Sequence, residues 1–412
     1  MDAGARDRVS VCIVFPTDPM GLVPGGIDTF IRGLLRWAPD DIDMSLIGMT
    51  TDGTARPVGR WHVCNAGRHP FRFYPVLREV GAGVRTPIPL SLRFTLALKA
   101  RKPLCEADVL EFHRLEPMLP FLFDGRPKNA FFHQDMAVLH DAASDIRWKH
   151  VPWLYFGLER LLIPRLSSAF AVREEAVRVY RARYPRLASS IEFIPTWMDP
   201  EVFHPADGGR RRALRDEILN ELGFSASSRV LIYVGRWDSQ KDPLRLLRAF
   251  RALLAEGRDI ALVLVGDGVL RGELQAFVRS HGLERRVALS GPRPQPRVAD
   301  WLRAVDLFVL SSAYEGMPMS VLEALGSGLP VATTDVGEVR RVVRPGVNGE
   351  IAGSRSVEDL VRAVADCLDR LDTYAGAPCT EAVADYVPHK VLAPVYATYR
   401  ALAARAQERV AR

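Results

Sequence analysis

The chain has 412 residues, of which 48% are hydrophobic and 25% charged, and its 55 Lys and Arg against 49 Asp and Glu give a formal net charge of +6. This is the composition of a globular protein, and it excludes a disordered or collagen-like chain; the five scattered cysteines, without a C-x-x-C pair, signal neither a disulfide framework nor a zinc site. The length predicts two domains of roughly 150 to 200 residues, and the cysteine usage favours a reducing, cytosolic compartment.

Short apolar runs alternate with amphipathic stretches in the first half. Strands are predicted at Val9–Phe15, Met44–Ile47, Val109–Phe112 and Ala130–His133, and helices at about 27–37 and 153–162. The first run is short and follows acidic residues, so we interpret it as a buried strand and not as a secretion signal. No apolar run reaches the roughly 18 residues of a membrane span.

The second half is more regular. Strands are predicted at 230–234, 261–265, 287–289, 307–310 and 331–334, separated by helices that include those from about Pro243 and about Pro318. This alternation is typical of βαβ units and a parallel sheet. The predicted fold class is therefore α/β, with two Rossmann-like parallel-sheet domains at 1–197 and 198–390 flanking a cleft, and with Asp199–Gly209 as a linker.

The positive charge is concentrated in the first half: residues 1–195 hold 26 Lys and Arg against 21 Asp and Glu. Either a solvated basic face or a partner with phosphate or an anionic membrane surface explains this excess. Nucleic acid is not an expected partner, because no nucleic-acid-binding motif accompanies the charge. The stretch Leu90–Lys102 mixes apolar and basic residues, as in a helix lying on a membrane interface or in a domain helix with a basic outer face.

Gly25 and Gly26 follow the first strand and precede a helix. Glycines at that position let backbone amides approach an anion, and the helix N-terminus favours negative charge. Such a turn is also common without a ligand, and it lacks the G-x-G-x-x-G pattern of dinucleotide-binding proteins.

Arg236 and Lys241 follow the strand that opens the second domain. Two cations at the carboxyl edge of a strand, beside a helix that begins near Pro243, are suited to a diphosphate. The alternative is a pair of exposed surface cations.

The segment Glu315-Gly316-Met317-Pro318-Met319-Ser320-Val321-Leu322-Glu323 places two carboxylates eight residues apart at a strand-to-helix turn. Glu315 and Glu323 could hold two parts of an extended ligand, with backbone amides of 317–320 facing an anion. The alternative is that Glu315 complements the helix dipole and that Glu323 is a surface residue.

These motifs together resemble the family 4 retaining glycosyltransferases of GT-B fold over essentially the whole chain. The resemblance rests on Glu315-x7-Glu323, Gly235-Arg236…Lys241, Val265-Gly266-Asp267-Gly268, Gly25-Gly26-Ile27 and the junction Ile194-Pro195…Asp199…Phe203-x-Pro205. The junction departs from the family in having Thr196-Trp197-Met198 where an Asn-Gly turn is usual. In that family the second domain binds a nucleotide sugar and the first binds the acceptor.

The resemblance also implies roles for single residues. Arg236 and Lys241 would bind the donor diphosphate, Glu315 the sugar hydroxyls and Glu323 the ribose, while His133 would lie near the donor sugar and acceptor. His113 is a further acceptor-binding candidate, although either histidine taken alone is more simply structural. The donor-binding backbone is expected at Gly25, Gly26, Gly235, Gly266, Gly316, Met317, Pro318, Met319 and Ser320.

The implied activity is retaining transfer of a hexose from a nucleotide sugar to a glycan or lipid-linked acceptor, in polysaccharide, glycolipid or glycoconjugate biosynthesis. GDP-mannose is preferred over a UDP-sugar, with no cofactor and no obligatory metal. The enzyme would be cytoplasmic with peripheral contact to an anionic membrane, and a helix at 391–412 would pack back on the first domain. The alternatives are a sucrose-synthase-like or phosphorylase-like enzyme and a non-catalytic sugar-nucleotide-binding protein.

Overall fold

The computed structural model describes residues 8–21, 26–65, 67, 69–79, 88–101, 103–133 and 152–411. The described residues fall into two compact units. The first ends at Pro195 and resumes at Pro388, and the second is Thr196–Val387. Each unit is built on its own sheet.

The N-terminal part of the first unit supplies a sheet and the helices that flank it. Its strands are β1 Val9–Val14, β2 Ile42–Thr50, β3 His62–Asn65, β4 Pro70–Arg78, β5 Val109–Phe112, β6 Lys128–Phe132, β7 Ser168–Ala171 and β8 Ile191–Phe193. Its helices are α1 Gly26–Arg36, α2 Leu90–Arg101, α3 Pro152–Leu162 and α4 Glu174–Arg183. The four strands predicted here are confirmed: Val109–Phe112 matches β5 at both ends, and the other three have ends that differ by up to three residues.

The strand order of the first sheet is β3-β4-β2-β1-β5-β6-β7-β8. All neighbours are parallel except β3, which pairs antiparallel with β4. The central strand β1 is fully buried from Val11 to Val14. Such continuous apolar runs are typical of parallel strands that are covered on both faces.

The second unit holds the more regular sheet. Its strands are β9 Arg229–Val234, β10 Ile260–Val265, β11 Val287–Gly291, β12 Leu307–Leu310, β13 Val331–Thr334 and β14 Gly349–Ala352. Its helices are α5 Gly208–Leu222, α6 Pro243–Ala255, α7 Arg271–Ser280, α8 Gln295–Ala304, α9 Met319–Gly326, α10 Val357–Asp369, α11 Leu371–Tyr374 and α12 Ala377–Ala382. The order β11-β10-β9-β12-β13-β14, all parallel, is that of a Rossmann sheet.

The stretch Asp199–Gly209 is not the linker that its polar composition predicted. Phe203 is buried in the core of the second unit, and Met198 just before the stretch is buried in the same cluster. The Met198 N–H also donates to the carbonyl of Tyr386. The segment between the two sheets therefore belongs to the second unit, and its apolar side chains complete the core of that unit.

The chain returns to the first unit with α13 Pro388–Val391 and α14 Ala393–Ala411. The Tyr396 hydroxyl on α14 donates to the carbonyl of Leu34 on α1, 2.9 Å away. Tyr399, one turn further on, is buried against β5 through its bond to Glu111. This C-terminal helix thus packs on the first unit.

Helix α2 covers most of the basic, apolar stretch predicted at 90–102; Lys102 lies outside the described residues. Phe94 and Leu98 are buried in the first unit's core, whereas Leu92 and Leu96 are 43% and 54% exposed. One face of α2 therefore packs as an ordinary domain helix, while the other presents apolar side chains to solvent. Across the described part of the chain, every helix is too short or too polar to cross a bilayer.

Candidate active site

The second sheet reverses its order of connection at the neighbours β9 and β12. From β9 the chain proceeds to β10 on one side, and it later returns to place β12 on the other side. Ligands of open α/β sheets bind beyond the carboxyl ends of the strands at this point. The loops here are 235–242 after β9 and 311–318 after β12, and they hold Arg236, Lys241 and Glu315.

Hydrogen bonds tie these two loops together. The Ser311 hydroxyl contacts the carbonyls of Lys241 and Asp242 at 3.1 and 2.9 Å. The Ala313 N–H donates to the Gln240 carbonyl at 2.7 Å. The loop that carries the cations therefore has a fixed position relative to the loop that carries Glu315.

Lys241 and Glu315 form the centre of the site. Lys241 Nζ lies 2.6 Å from Glu315 Oε1, and the Ser312 hydroxyl donates to the same oxygen at 2.6 Å. Both side chains are largely buried, so solvent screens the pair weakly. Two donors occupy Oε1, whereas no described residue donates to Oε2, which leaves that oxygen as an acceptor for a ligand hydroxyl.

Arg236 lies at the solvent edge of the same loop, with a 64% exposed side chain. Its guanidinium pairs with Asp238 at 3.0 Å and donates to Gln240 Oε1 at 3.2 Å. The buried Tyr233 hydroxyl donates to the Arg236 carbonyl at 2.8 Å and fixes the backbone below it. Of the two predicted cations, Lys241 is thus enclosed and Arg236 accessible.

Asp242 has a φ of 43°, which places it in the left-handed region. Asp and Asn tolerate this region better than other residues with a Cβ, and local strain often marks a functional loop. Its carboxylate accepts from the Arg245 N–H at 3.2 Å as the N-cap of α6, with Pro243 in the first turn. The turn therefore ends the Lys241 loop and begins α6 within one residue.

Two glycines show where backbones pack too closely for a side chain. A Cβ on Gly266, which has a φ of 141°, would lie 1.9 Å from the Gly235 carbonyl oxygen. A Cβ on Gly337, which has a φ of 55°, would lie 1.9 Å from the Gly316 carbonyl oxygen. The loops of Gly235 and Gly316 thus depend on neighbours without side chains.

The backbone amides of the predicted donor-binding glycines differ in availability. The Gly235 N–H donates to the Val265 carbonyl and the Gly266 N–H to the Gly291 carbonyl, both extending the sheet. By contrast, α9 begins at Met319 after Pro318, without a side-chain cap. Its first N–H groups, at Met319 and Ser320, lack intrahelical partners and are the ones suited to an anion. Met317, also predicted to bind the donor, is buried.

Glu323 lies in the middle of α9. Val321, Leu322, Ala324 and Leu325 around it are fully buried, and burial raises the pKa of Glu323 to about 7, which a hydrogen bond from Gln295 partly offsets. The alternative of an ordinary surface glutamate does not describe this environment. The Glu323 carboxyl group is therefore protonated more readily than that of an exposed glutamate.

The first sheet has a corresponding reversal at β1 and β5, and His113 immediately follows β5. His113 Nδ1 lies 2.7 Å from His133 Nε2, so the two histidines named from the sequence are in contact. Gly26 begins α1, and a Cβ there would meet no described atom within 4 Å. Gly25 lies outside the described residues.

Sequence reasoning missed several residues of these sites. Ser311 and Ser312 follow β12 directly, so the rule that singled out Arg236 could have found them. Asp238 and Gln240 stand between the two predicted cations and position both of them. Glu111 lies on β5 two residues before His113, which directly follows the strand, and in extended chain this spacing places both side chains on the same face.

Among the described residues, no three His, Cys, Asp or Glu side chains are grouped as metal ligands would be. Independence from a metal stays a prediction. The chemistry that the described groups can supply at this edge of the second sheet is cationic neutralisation, a carboxylate acceptor and free helix amides.

Residues 215–375, all in the second unit, match the family model described as glycosyl transferases group 1. The second unit is therefore similar to a glycosyl transferase group 1 domain. The resemblance to GT-B glycosyltransferases predicted from the motifs is confirmed, while its placement in family 4 stays a prediction.

The relatives that match this chain are also named as glycosyltransferases. A D-inositol 3-phosphate glycosyltransferase of Thermobispora bispora is 31% identical over 226 residues, which cover 53% of this chain and 49% of that protein. An Escherichia coli UDP-Gal:alpha-D-GlcNAc-diphosphoundecaprenol alpha-1,3-galactosyltransferase is 31% identical over 182 residues, or 43% and 45% of the two chains. The chain spans about half the length of the curated relatives it matches.

Solved structures show the fold over nearly the whole chain. A sucrose-phosphate synthase of Thermosynechococcus elongatus has a TM-score of 0.76 and 20% identity, with coverage of 97% of this chain and 100% of that one. Anabaena HepE, solved in complex with UDP and glucose, has a TM-score of 0.69 and 16% identity over 94% and 98%. The α/β GT-B fold class predicted from the sequence is confirmed.

Proposed function

We propose that the protein is a retaining glycosyltransferase that moves a hexose from a nucleotide sugar to a hydroxyl of a glycan or lipid-linked acceptor. The observation that carries this proposal is the Lys241, Glu315 and Ser312 cluster at the strand-order reversal of a glycosyl transferase group 1 domain. The cluster combines a cation for phosphate with a carboxylate for sugar hydroxyls.

The proposed chemistry is stabilisation of a leaving group. The bond from the anomeric carbon to the phosphate oxygen breaks, its electron pair leaves with the nucleoside diphosphate, and the acceptor oxygen bonds to the carbon. Lys241 and Arg236 neutralise the charge that develops on the departing phosphate. The Lys241 ammonium is held in position by Glu315 before the donor arrives, which reduces reorganisation during the reaction.

Glu315 and Glu323 are assigned to hydroxyl recognition. Oε2 of Glu315 is available to accept from a sugar hydroxyl, since Lys241 and Ser312 both occupy Oε1. Ionised Glu323 accepts from the ribose hydroxyls, as the family resemblance implies. Retention of configuration and independence from a metal are also proposed on that resemblance.

For the donor we propose a UDP-hexose first and GDP-mannose, which the sequence resemblance favoured, second. One relative is named for UDP-galactose, and HepE was solved with UDP and glucose. Both observations concern other proteins, and the donor panel below tests them for this chain.

For the acceptor we propose a phosphate-bearing or lipid-linked molecule. The relatives above are named for an inositol phosphate and for a diphosphoundecaprenol-linked sugar. The basic excess of residues 1–195 and the exposed leucines of α2 support an anionic, partly apolar partner at a membrane surface on the cytoplasmic side. A sucrose-synthase-like enzyme would use a small soluble acceptor instead.

The proposal is tested with a panel of UDP-, GDP- and ADP-sugars. Thermal shift reports binding, since a ligand that binds only the folded state raises the melting temperature, and release of nucleoside diphosphate reports turnover. We expect one class of donor to stabilise the protein and to turn over, and Lys241→Ala to abolish turnover. A folded protein that binds and consumes none of these donors would leave only a non-enzymatic role.

A further inference from the structure

A chain of hydrogen-bonded ionisable groups runs through the core of the first unit. Glu111 is fully buried near the end of β5, and its Oε1 lies 2.8 Å from His113 Nε2. The other ring nitrogen of His113, Nδ1, lies 2.7 Å from His133 Nε2. The three side chains are therefore connected in series, with Glu111 at the buried end and His133 at the outer end.

The second oxygen of Glu111 is fixed from two sides. The Tyr399 hydroxyl of α14 donates to Oε2, and Asn129 Nδ2 on β6 approaches the same oxygen at 3.5 Å. The Ser168 hydroxyl donates to Asn129 Oδ1 at 2.7 Å and so orients the amide with its NH₂ toward Glu111. The carboxylate can neither rotate nor reach solvent without breaking these bonds.

Aromatic rings enclose the hydrogen-bonded series of Glu111, His113 and His133. The Phe131 ring lies almost parallel to the His113 ring, with centroids 4.9 Å apart, and Phe30 meets the His133 ring edge-on at 5.0 Å. Phe15 meets His113 edge-on from the end of β1 at 5.8 Å. In such a surrounding a proton held between two of these groups exchanges slowly with water, while hydrogen bonds within the chain are strengthened.

Stability does not explain a carboxylate at this position. Of the residues that the structure describes, no Lys or Arg forms an ion pair with Glu111, and a buried carboxylate without a cation is costly to desolvate. Burial raises the pKa of Glu111 to about 8 and lowers the pKa of His113 to about 3. Ionisable groups with perturbed pKa values in contact with one another are characteristic of functional sites.

We propose that Glu111 and His113 are positioning residues that set the protonation of His133 and receive, by relay, the proton that His133 takes from the acceptor hydroxyl. This inference rests on the proposed transferase function. In this proposal His133 is the group that contacts the acceptor hydroxyl, and Glu111 and His113 act through it.

The relay follows from the donor and acceptor roles along the chain. With Glu111 ionised, His113 Nε2–H donates to Oε1, so His113 Nδ1 accepts from His133 Nε2–H. His133 Nδ1 is then an unprotonated acceptor, and no described residue is hydrogen-bonded to it. The outer nitrogen is thus a base because the inner carboxylate is charged.

Transfer of one proton exchanges the donor and acceptor in each hydrogen bond between His133 and Glu111. The acceptor O–H bond breaks as an N–H bond forms at His133 Nδ1, and the Nε2 proton of His133 moves to His113 Nδ1. The Nε2 proton of His113 moves to Glu111 Oε1. The product state holds a neutral Glu111 and two neutral imidazoles, so no charge remains on a buried ring.

Other charged and titratable groups face the hydrogen-bonded series of Glu111, His113 and His133. They are Asp28 on α1, which favours the charged form of His113, Arg114 after β5, which disfavours that of His133, and Tyr396 and Tyr399 on α14. Among the described residues, only Tyr399 and Asn129 bond Glu111 apart from His113. Because the relay needs an ionised Glu111, kcat should rise as the pH increases through about 8.

The test compares Glu111→Gln with Glu159→Gln. The amide at 111 can still accept from His113 but cannot take its proton, so we expect kcat to fall by about 100-fold. The pH-dependent limb near 8 should disappear, and the donor-induced thermal shift should stay the same. Glu159 is a buried carboxylate of the same unit that pairs with Arg183 at 2.8 Å. Its neutralisation should lower the melting temperature but leave kcat unchanged.

Two further measurements separate the relay from a structural role. Tyr399→Phe removes a donor that favours the carboxylate and should shift the limb to higher pH. In ¹⁵N-histidine NMR spectra, His113 and His133 should change tautomer together with one apparent pKa, and Glu111→Gln should abolish that change. Glu111→Gln with wild-type kcat, pH profile and histidine spectra would overturn the relay. Failure of the wild type to transfer any sugar would instead overturn the proposed function, since the spectra do not depend on turnover.

Discussion

Lys241 Nζ and Glu315 Oε1, which belong to loops 74 residues apart in sequence, are 2.6 Å apart at the carboxyl edge of the second sheet. The pair joins the proposed phosphate-binding cation to the proposed sugar-binding carboxylate. Each side chain therefore affects the other, and the two roles can be separated only when both are changed.

Lys241→Ala should lower kcat/KM by about 100-fold or more, because it removes a charge that stabilises the leaving phosphate. It should also cost about 1–3 kcal/mol of stability, because Glu315 loses its cation in a largely buried position. In the Lys241→Ala, Glu315→Ala double variant we expect part of that stability to return while activity stays absent. Urea denaturation and initial rates measure the two effects.

Arg258→Ala is the control for this experiment. Arg258 pairs with Asp369 at 2.6 Å in the same unit, and the Asp369 side chain is exposed. Its loss should change stability by less than about 1 kcal/mol and leave the rate unchanged. An equal loss of rate in Arg258→Ala and Lys241→Ala would contradict a specific role for Lys241.

The pKa of Glu323 predicts a pH dependence on the donor side. Ionised Glu323 accepts from ribose, so kcat/KM for the donor should fall as the pH decreases through about 7. At pH 6 we expect it to be about 10-fold below its plateau. Glu323→Gln should lower the plateau and remove this dependence, whereas the exposed Glu273→Gln should preserve both. A wild-type profile that is flat between pH 6 and 8 would contradict the assignment.

The raised pKa of Glu323 also affects the stability of the folded protein. The folded state holds the Glu323 proton up to about pH 7, whereas an unfolded glutamate loses it near its ordinary value. The folded state therefore binds more protons between these values, and this contribution to stability falls as the pH rises through the interval. Glu323→Gln should raise the melting temperature at pH 8 more than at pH 5, which differential scanning calorimetry can show.

Gly337→Ala tests the close contact below the Glu315 loop. Its Cβ would collide with the Gly316 carbonyl oxygen in addition to straining a φ of 55°. We expect the donor-induced thermal shift to be lost and the protein to be destabilised. Gly346→Ala has a comparable φ of 80° but no atom within 4 Å, so it isolates the cost of the backbone conformation. Equal effects of the two substitutions would mean that the contact does not matter.

Leu96→Asp tests the membrane proposal. Leu96 is exposed on α2, and its transfer into lipid would contribute about 2 kcal/mol. Co-sedimentation with anionic vesicles should therefore weaken about 10-fold or more in this variant. Val347→Asp in the second unit makes the same change at another exposed residue and should have no effect. If the wild-type protein does not co-sediment with anionic vesicles, the membrane proposal is wrong.

Apart from β11, the strands that were predicted correctly are buried along most of their length. Apolar runs such as 230–234 and 261–265 have no other stable environment in a chain of this composition. The missed strands lack that signal: β3 is half exposed, β4 contains Pro75, and β7 and β14 are short and rich in small residues. Their pairing with neighbours decides their structure, and a single sequence does not display it.

The residues of the candidate sites also divide into those that the sequence predicted and those that it did not. Motifs that directly follow a strand identified Arg236, Lys241 and Glu315, because the topology brings such loops to one edge. The buried chain of the first unit was not predictable in this way, since Tyr399 meets Glu111 across 288 residues of sequence. His113 was named only as a further candidate because its partner Glu111 gains meaning from burial and not from spacing.

The position of α14 also constrains the order in which the protein can mature on the ribosome. The first sheet is synthesised early, but the hydroxyl that Glu111 requires belongs to a residue made after the entire second unit. Until then the core of the first unit holds a carboxylate that lacks one of its donors. The nascent first unit is therefore incomplete while the second one folds, and a ribosome that stalls before residue 399 leaves the histidine chain unfinished even where the donor-binding unit is complete.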